Sequence, residues 1–126
     1  MQRHKPERTS GSIEREGECM SKRLYLSGPI TGVDDYFERF QRAFLALEEA
    51  GYNVINPAPL YQVMPDDATY EEYMQICMDL LAMADVIVQM PGWEKSCGCN
   101  RELGWAVASD KIIIQLESLF KEEQGE

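Results

Sequence analysis

The sequence predicts an α/β fold with three layers, in which a small parallel sheet lies between two layers of helices. Two hydrophobic patterns alternate along the chain: short strand-like segments, and longer segments with apolar residues at every third or fourth position. The short segment at 85–90 contains a continuous apolar run, which is typical of a parallel strand buried on both faces. Strands that alternate with helices in this way form a parallel, doubly wound sheet.

The first half of the predicted domain contains two strands and one long helix. Residues 23–27 suit a strand, and the segment 28–32, which contains glycine and proline, ends it. A helix is predicted over 35–50, and Gly51, which follows it, is expected to form a left-handed C-cap. Its buried face repeats at helical spacing through Phe37, Phe40, Phe44 and Leu47. The second strand is predicted at 52–55, and the prolines that follow it closely end it.

The second half contains two helices and two strands, after a predicted loop at 60–67. A helix is predicted over 69–84, and the strand at 85–90 follows it. The N-cap of that helix is expected at Thr69 or Asp67. Its buried face is assigned to Tyr73, Cys77, Leu80, Leu81 and Ala84. The last helix is predicted over 99–109 and the fourth strand over 111–116.

The 126 residues are predicted to form one domain at 22–118. Residues 1–21 are polar and bury too little surface to offset the entropy of ordering, so a disordered tail is expected there, and 119–126 form an acidic C-terminal end. A domain this small has a marginal core, which favours a homodimer or higher homo-oligomer. The sequence contains no signal peptide and no apolar segment long enough to cross a bilayer, so a cytoplasmic protein without a membrane partner is expected.

Charge and cysteine content exclude several classes of function. The formal net charge is −10, which disfavours duplex nucleic acid as a partner, because binding it depends on neutralising phosphates. Cys97 and Cys99 form a C-x-C pattern, but without a second cysteine pair we expect no metal site. The chain also lacks the P-loop lysine and the full dinucleotide-binding pattern of glycines, and no cofactor is expected.

The predicted topology places a ligand site between two loops. In the flavodoxin-like strand order 2-1-3-4, the first and third strands flank the switch point, and the loops at 28–35 and 91–98 open on the same crevice. A helix N-terminus after Gly98 offers free amides, and the small residues Gly28, Ser96 and Gly98 allow close approach to the backbone. This combination suits a phosphate group or sugar hydroxyls.

Glu102 lies in the first turns of the helix that follows this crevice. It is expected to face the cleft as a functional carboxylate. The alternative is that an acidic residue early in a helix complements the helix dipole.

Several short motifs together resemble the nucleoside 2-deoxyribosyltransferase superfamily. They are YLSGPITG at 25–32, NP at 56–57, ADVIV at 84–88, and S-x-G-x-x-x-E-x-G-x-A at 96–106. The segment MPGWEKS at 90–96 is similar to one group within it, the domain of unknown function DUF4406. The resemblance covers residues 23–116 and implies a flavodoxin-like fold.

The resemblance also implies chemistry at an N-glycosidic bond. Glu102 then corresponds to the nucleophile that forms a glycosyl-enzyme intermediate, and Tyr25 to the residue that positions it. The family uses an aspartate on the second helix to contact the base. An alignment without gaps places Cys77 or Met78 near that position, and the nearest carboxylate is Asp79, which is therefore the candidate for this role.

Ser96 favours a phosphorylated substrate, because the related nucleoside 5′-monophosphate N-glycosidases have serine where the transferases tend to have aspartate. Pro29 stands where those hydrolases have another phosphate-binding serine. Trp93 is expected to stack on a base or shield the cleft, or alternatively to pack the loop. The complete set of expected substrate-binding residues is Ser27, Gly28, Pro29, Ile30, Trp93, Ser96, Gly98 and Asn100.

The sequence therefore predicts a hydrolase or transferase that acts on a nucleoside or nucleoside 5′-monophosphate through a glutamate nucleophile. A nucleoside or nucleotide is the expected small-molecule partner. The alternative is a non-catalytic module of the same fold that binds or senses a nucleotide.

Overall fold

The computed structural model describes residues 22–121, so the predicted tail at 1–21 and residues 122–126 lie outside the described part of the chain. All strands of its sheet are parallel, in the order β2-β1-β3-β4. The strands are β1 (Arg23–Ser27), β2 (Asn53–Ile55), β3 (Val86–Gln89) and β4 (Ile112–Gln115). The predicted α/β fold and the strand order 2-1-3-4 are confirmed.

The helices between the strands match the predicted ones, with two differences. They are α1 (Tyr36–Glu49), α2 (Leu60–Val63), α3 (Tyr70–Ala82) and α4 (Cys97–Ala108), with a 3₁₀ turn at Trp93–Lys95. A further helix, α5 (Leu116–Lys121), follows β4. The predicted loop at 60–67 begins with α2, because Pro57 and Pro59 initiate a turn and Leu60 packs on the core. Helix α4 begins two residues before the predicted start at residue 99, because Ser96 caps it.

Two helix ends confirm the sequence analysis. Thr69 forms a capping box with Glu72 at the start of α3, so it is the N-cap and Asp67 is not. Gly51 has a φ of +99° directly after the end of α1, which is the expected left-handed cap. No helix within residues 22–121 has the length and apolar character that a membrane span needs.

The two faces of the sheet carry separate cores, since alternate strand residues point to opposite sides. One cluster packs against α1 and includes Leu24, Leu26, Val86, Val88, Phe40 and Leu47. Leu119 and Phe120 of α5 also pack against this cluster, so α5 continues across the predicted division between residues 118 and 119. The other cluster packs against α3 and α4 and includes Tyr25, Ile87, Cys77, Leu81 and Ala106. The second face is the one that carries the candidate site.

Candidate active site

The centre of the candidate site is the carboxylate of Glu102, which is only 6% exposed. Helix α4 buries it because Cys99, Glu102 and Ala106 follow one another at three- and four-residue spacing on the face that packs against the sheet. A carboxylate at such a core position is unusual, since ionisable side chains are rarely buried without partners. Glu102 therefore faces the sheet. A residue that only complemented the helix dipole would face the solvent.

Two hydroxyl groups from β1 hold this carboxylate. Tyr25 Oη donates to Glu102 Oε2 at 2.7 Å, and Ser27 Oγ donates to Glu102 Oε1 at 2.7 Å. Tyr25 and Ser27 are two residues apart on one strand, so their side chains point to the same face. The structure thus brings together Tyr25 and Glu102, which were expected to meet, and uses Ser27 to hold the glutamate.

The protonation of this group is set mainly by burial. Burial raises the pKa of Glu102, and the hydrogen bonds from Tyr25 and Ser27 oppose that rise because they favour the ionised form. Burial, followed by the nearby charge of Glu102, raises the pKa of Tyr25 well above its ordinary value, so Tyr25 remains a neutral donor. Each carboxylate oxygen accepts one of these hydrogen bonds and keeps a further lone pair. The arrangement can present a poorly solvated carboxylate to an electrophile.

Helix α3 brings Cys77 to this cluster and leaves Asp79 outside it. Cys77 is buried and in contact with Tyr25, and burial raises the pKa of its thiol to about 11. Asp79 is exposed, because two residues further along a helix a side chain points about 200° away. Asp79 therefore lies outside this cluster, and its expected role at the site stays a prediction. Sequence analysis assigned Cys77 to the packing face, and helical spacing alone could not show that it contacts Tyr25.

An aromatic pair from α2 and α3 lies near the same cluster. The rings of Tyr61 and Tyr73 stack with centroids 4.2 Å apart and planes within 4° of parallel. Burial raises the pKa of Tyr61, and Cys77 and Glu102 contribute to the rise. Tyr61 was placed in a predicted loop, so its position here follows from the unpredicted helix α2.

A crevice of about 570 Å³ lies between the loops that follow β1 and β3, as the topology predicts. Its lining includes Pro29, Arg39, Lys95, Ser96 and Gly98. Ser96 also caps α4, because its Oγ accepts a hydrogen bond from the Cys99 N–H at 3.1 Å. Arg39 pairs with Asp35 at 3.0 Å. Three of the expected substrate-binding residues, Pro29, Ser96 and Gly98, thus line one crevice.

Other expected binding residues have roles within the protein. A Cβ at Gly28 would lie 2.9 Å from Met90 Sδ and 3.1 Å from the ring of Phe40, so side chains pack closely against one side of this glycine. Ile30 packs against the core on the α1 side of the sheet. Core packing thus involves both residues, and their expected contact with substrate stays a prediction.

Trp93 and Asn100 organise the loop before α4. The Asn100 side-chain amide donates to the carbonyl oxygens of Ser96 at 2.9 Å and Glu94 at 3.1 Å, so it holds the loop, and its expected role in binding stays a prediction. The indole N–H of Trp93 donates to Gln115 Oε1 at 3.3 Å. This hydrogen bond attaches the loop to β4, as the packing alternative for Trp93 requires.

Within residues 22–121, no group of three or more His, Cys, Asp or Glu side chains is placed to hold a metal ion. Cys97 is exposed, whereas Cys99 is buried on the face of α4 that packs against the sheet. Burial raises the pKa of Cys99.

Comparisons with known proteins agree with this architecture. A family described as "Domain of unknown function (DUF4406)" matches residues 22–115, and no curated protein matches the chain. A 2-deoxyribosyltransferase from Bacillus psychrosaccharolyticus is similar in structure, with a TM-score of 0.59 and 15% identity over 74% of this chain and 70% of that one. A 2-deoxyribosyltransferase from Leishmania mexicana has a TM-score of 0.56 and 19% identity, and the match covers 75% of this chain and 63% of that one. At these identities the likeness shows a shared fold.

Proposed function

The chain belongs to the DUF4406 family, and we propose that it cleaves or transfers at the N-glycosidic bond of a nucleoside or nucleoside 5′-monophosphate. The observation that carries this proposal is the buried carboxylate of Glu102, held by the hydroxyls of Tyr25 and Ser27 at 2.7 Å each. A positioned carboxylate with little solvation is suited to capture an electron-poor anomeric carbon. The shared fold with two 2-deoxyribosyltransferases supports the same class of reaction.

In the proposed reaction, one oxygen of Glu102 attacks the anomeric carbon of the sugar. An ester bond forms there while the bond to the base nitrogen breaks, and the base leaves with the electron pair and takes up a proton. Water or a second base then attacks the same carbon, loses a proton and releases Glu102 as a carboxylate. Tyr25 and Ser27 hold the carboxylate in place throughout, and Tyr25 remains protonated because its pKa is raised.

The crevice beside Ser96 supports a substrate with a 5′-phosphate. Ser96 precedes Glu102 by six residues on the same helix, a rise of about 9 Å along the axis. The Ser96 hydroxyl can donate to a phosphate oxygen, and Lys95 contributes positive charge to the lining beside Arg39, which pairs with Asp35. In a chain with a net charge of −10, this local positive charge favours an anion.

The proposal is tested with purified Glu102→Gln protein and a panel of nucleosides and nucleoside 5′-monophosphates, by chromatography of the released base. We expect the wild type to release base from at least one member, and the variant to lose several orders of magnitude in rate while remaining folded. Glu38→Gln is the matched control, because Glu38 is exposed on α1. If Glu102→Gln retains the wild-type rate, the nucleophile is wrongly assigned. Ligand-induced thermal stabilisation without any release of base would instead favour a binding module.

A further inference from the structure

Gln89 is a buried polar residue that the reaction above does not use. It ends β3 and is 2% exposed. Its Oε1 accepts a hydrogen bond from Gln115 Nε2 at 2.6 Å. Its own Nε2 has no hydrogen-bond partner among residues 22–121. Since buried donors are nearly always satisfied, this amide group needs an explanation.

Trp93 determines which way this amide points. An indole N–H is a donor only, so the oxygen of Gln115 must face Trp93. The Gln115 amino group then faces Gln89 and donates to its side-chain oxygen. Rotating either amide by 180° would set two donors or two acceptors against each other. The chain of hydrogen bonds from Trp93 therefore forces the Gln89 amino group to point away from Gln115.

The strand register places Gln89 next to a residue that holds the proposed nucleophile. Ser27, Gln89 and Gln115 are paired across β1, β3 and β4, and residues in register on parallel strands share a face. Adjacent strands lie about 4.8 Å apart, so Gln89 is the direct neighbour of Ser27. Ser27 in turn holds Glu102 at 2.7 Å. The free donor of Gln89 thus belongs to the Glu102 site.

We propose that Gln89 is a substrate-binding residue that donates a hydrogen bond from Nε2 to an oxygen of the pentose. The pentose is the part of a nucleoside or nucleotide that must lie next to a nucleophile attacking its anomeric carbon, and its hydroxyl and ring oxygens are acceptors. Trp93 and Gln115 are positioning residues, because they act only through the orientation of Gln89. This inference rests on the proposed function of the Glu102 site.

Two substitutions test the donor in different ways. Gln89→Met removes the amide and keeps a side chain of similar length. Gln115→Glu keeps the amide of Gln89 but rotates it by 180°. The new carboxylate can only accept hydrogen bonds, so it accepts from Trp93 and requires the amino group of Gln89 as its second donor. We expect each variant to raise the KM for the cleaved substrate about three- to tenfold, with a smaller effect on kcat.

The double variant Gln89→Met/Gln115→Glu separates positioning from structural damage. If Gln115 acts through Gln89, adding Gln115→Glu to Gln89→Met raises KM no further. Trp93→Phe, which frees the Gln115 amide to rotate, should likewise raise KM only when Gln89 is present. Gln75→Glu is the matched control for the added charge, because Gln75 is exposed on α3. Additive effects in the double variant would overturn the positioning roles.

The same panel distinguishes failure of this inference from failure of the proposed function. If the wild type releases base in a Glu102-dependent reaction but Gln89→Met and Gln115→Glu keep its KM, the Gln89 assignment is overturned and the proposed function stands. If the wild type binds a nucleotide in calorimetric titrations without releasing base, the proposed function fails. A three- to tenfold weaker Kd in both variants then still supports Gln89 as a binding residue. If no member of the panel binds, both are overturned.

Discussion

Replacing Tyr25 with phenylalanine removes the hydroxyl that donates to Glu102 Oε2 at 2.7 Å and leaves the ring in the core. A hydrogen bond to a charged group contributes about 1.5–3 kcal/mol, and solvent does not replace a donor lost at a buried site. We therefore expect Tyr25→Phe to lower the free energy of unfolding at neutral pH by about this amount. In a Glu102→Gln background the same change removes a neutral hydrogen bond, which contributes about 0.5–1.5 kcal/mol. The two substitutions should thus be coupled by about 1 kcal/mol.

The effect of Tyr25→Phe also depends on pH, with a sign that follows from the site. Burial raises the pKa of Glu102, and Tyr25 opposes this by stabilising the ionised form. When the pH falls below the pKa of Glu102 in the folded protein, the carboxyl group is protonated and the hydrogen bond joins two neutral groups. The stability lost in Tyr25→Phe should therefore shrink from neutral to acidic pH.

Urea unfolding followed by tryptophan fluorescence provides the measurement. Wild type, both single variants and the double variant are compared at neutral and acidic pH. The m-value serves as the control, because an unchanged m-value shows that the same surface is exposed on unfolding. An equal loss of stability from Tyr25→Phe in both backgrounds, at both pH values, would refute the hydrogen bond between Tyr25 and an ionised Glu102.

Two further predictions concern stability. Because burial raises the pKa of Glu102, the contribution of this group to stability is greatest at acidic pH and is lost as the pH rises through its folded-state pKa. The melting temperature of the wild type should therefore fall relative to that of Glu102→Gln between acidic and neutral pH. Parallel pH profiles would contradict this. Gly28→Ala should destabilise by about 1–3 kcal/mol, because its Cβ would lie 2.9 Å from Met90 Sδ. Gly104→Ala on α4, with nothing within 4 Å, should instead stabilise by about 0.5–1 kcal/mol. Thermal unfolding that ranks these two in the opposite order would exclude the packing role of Gly28.

The sequence by itself determined the fold class and the strand order. These properties depend on hydrophobic period, capping residues and general rules of connection, all of which act over short stretches of chain. The Thr69 cap and the left-handed Gly51 are examples, since each is decided by residues within a single turn. The start of α4 is an exception: it was placed two residues late, because the prediction did not include Ser96 as the N-cap.

Only the tertiary structure decided which side chains contact and hydrogen-bond one another in the site. Tyr25 and Glu102 are 77 residues apart in sequence, and the hydrogen bond between them exists because a strand and a helix from distant parts of the chain meet on one face of the sheet. The same applies to Cys77 on α3, which contacts Tyr25 on β1. The direction of the Gln89 amide depends on Trp93 through Gln115 on a third strand. Hydrogen bonds are directional and short in range, so their partners follow from the packing of distant segments and not from the local pattern of any one of them.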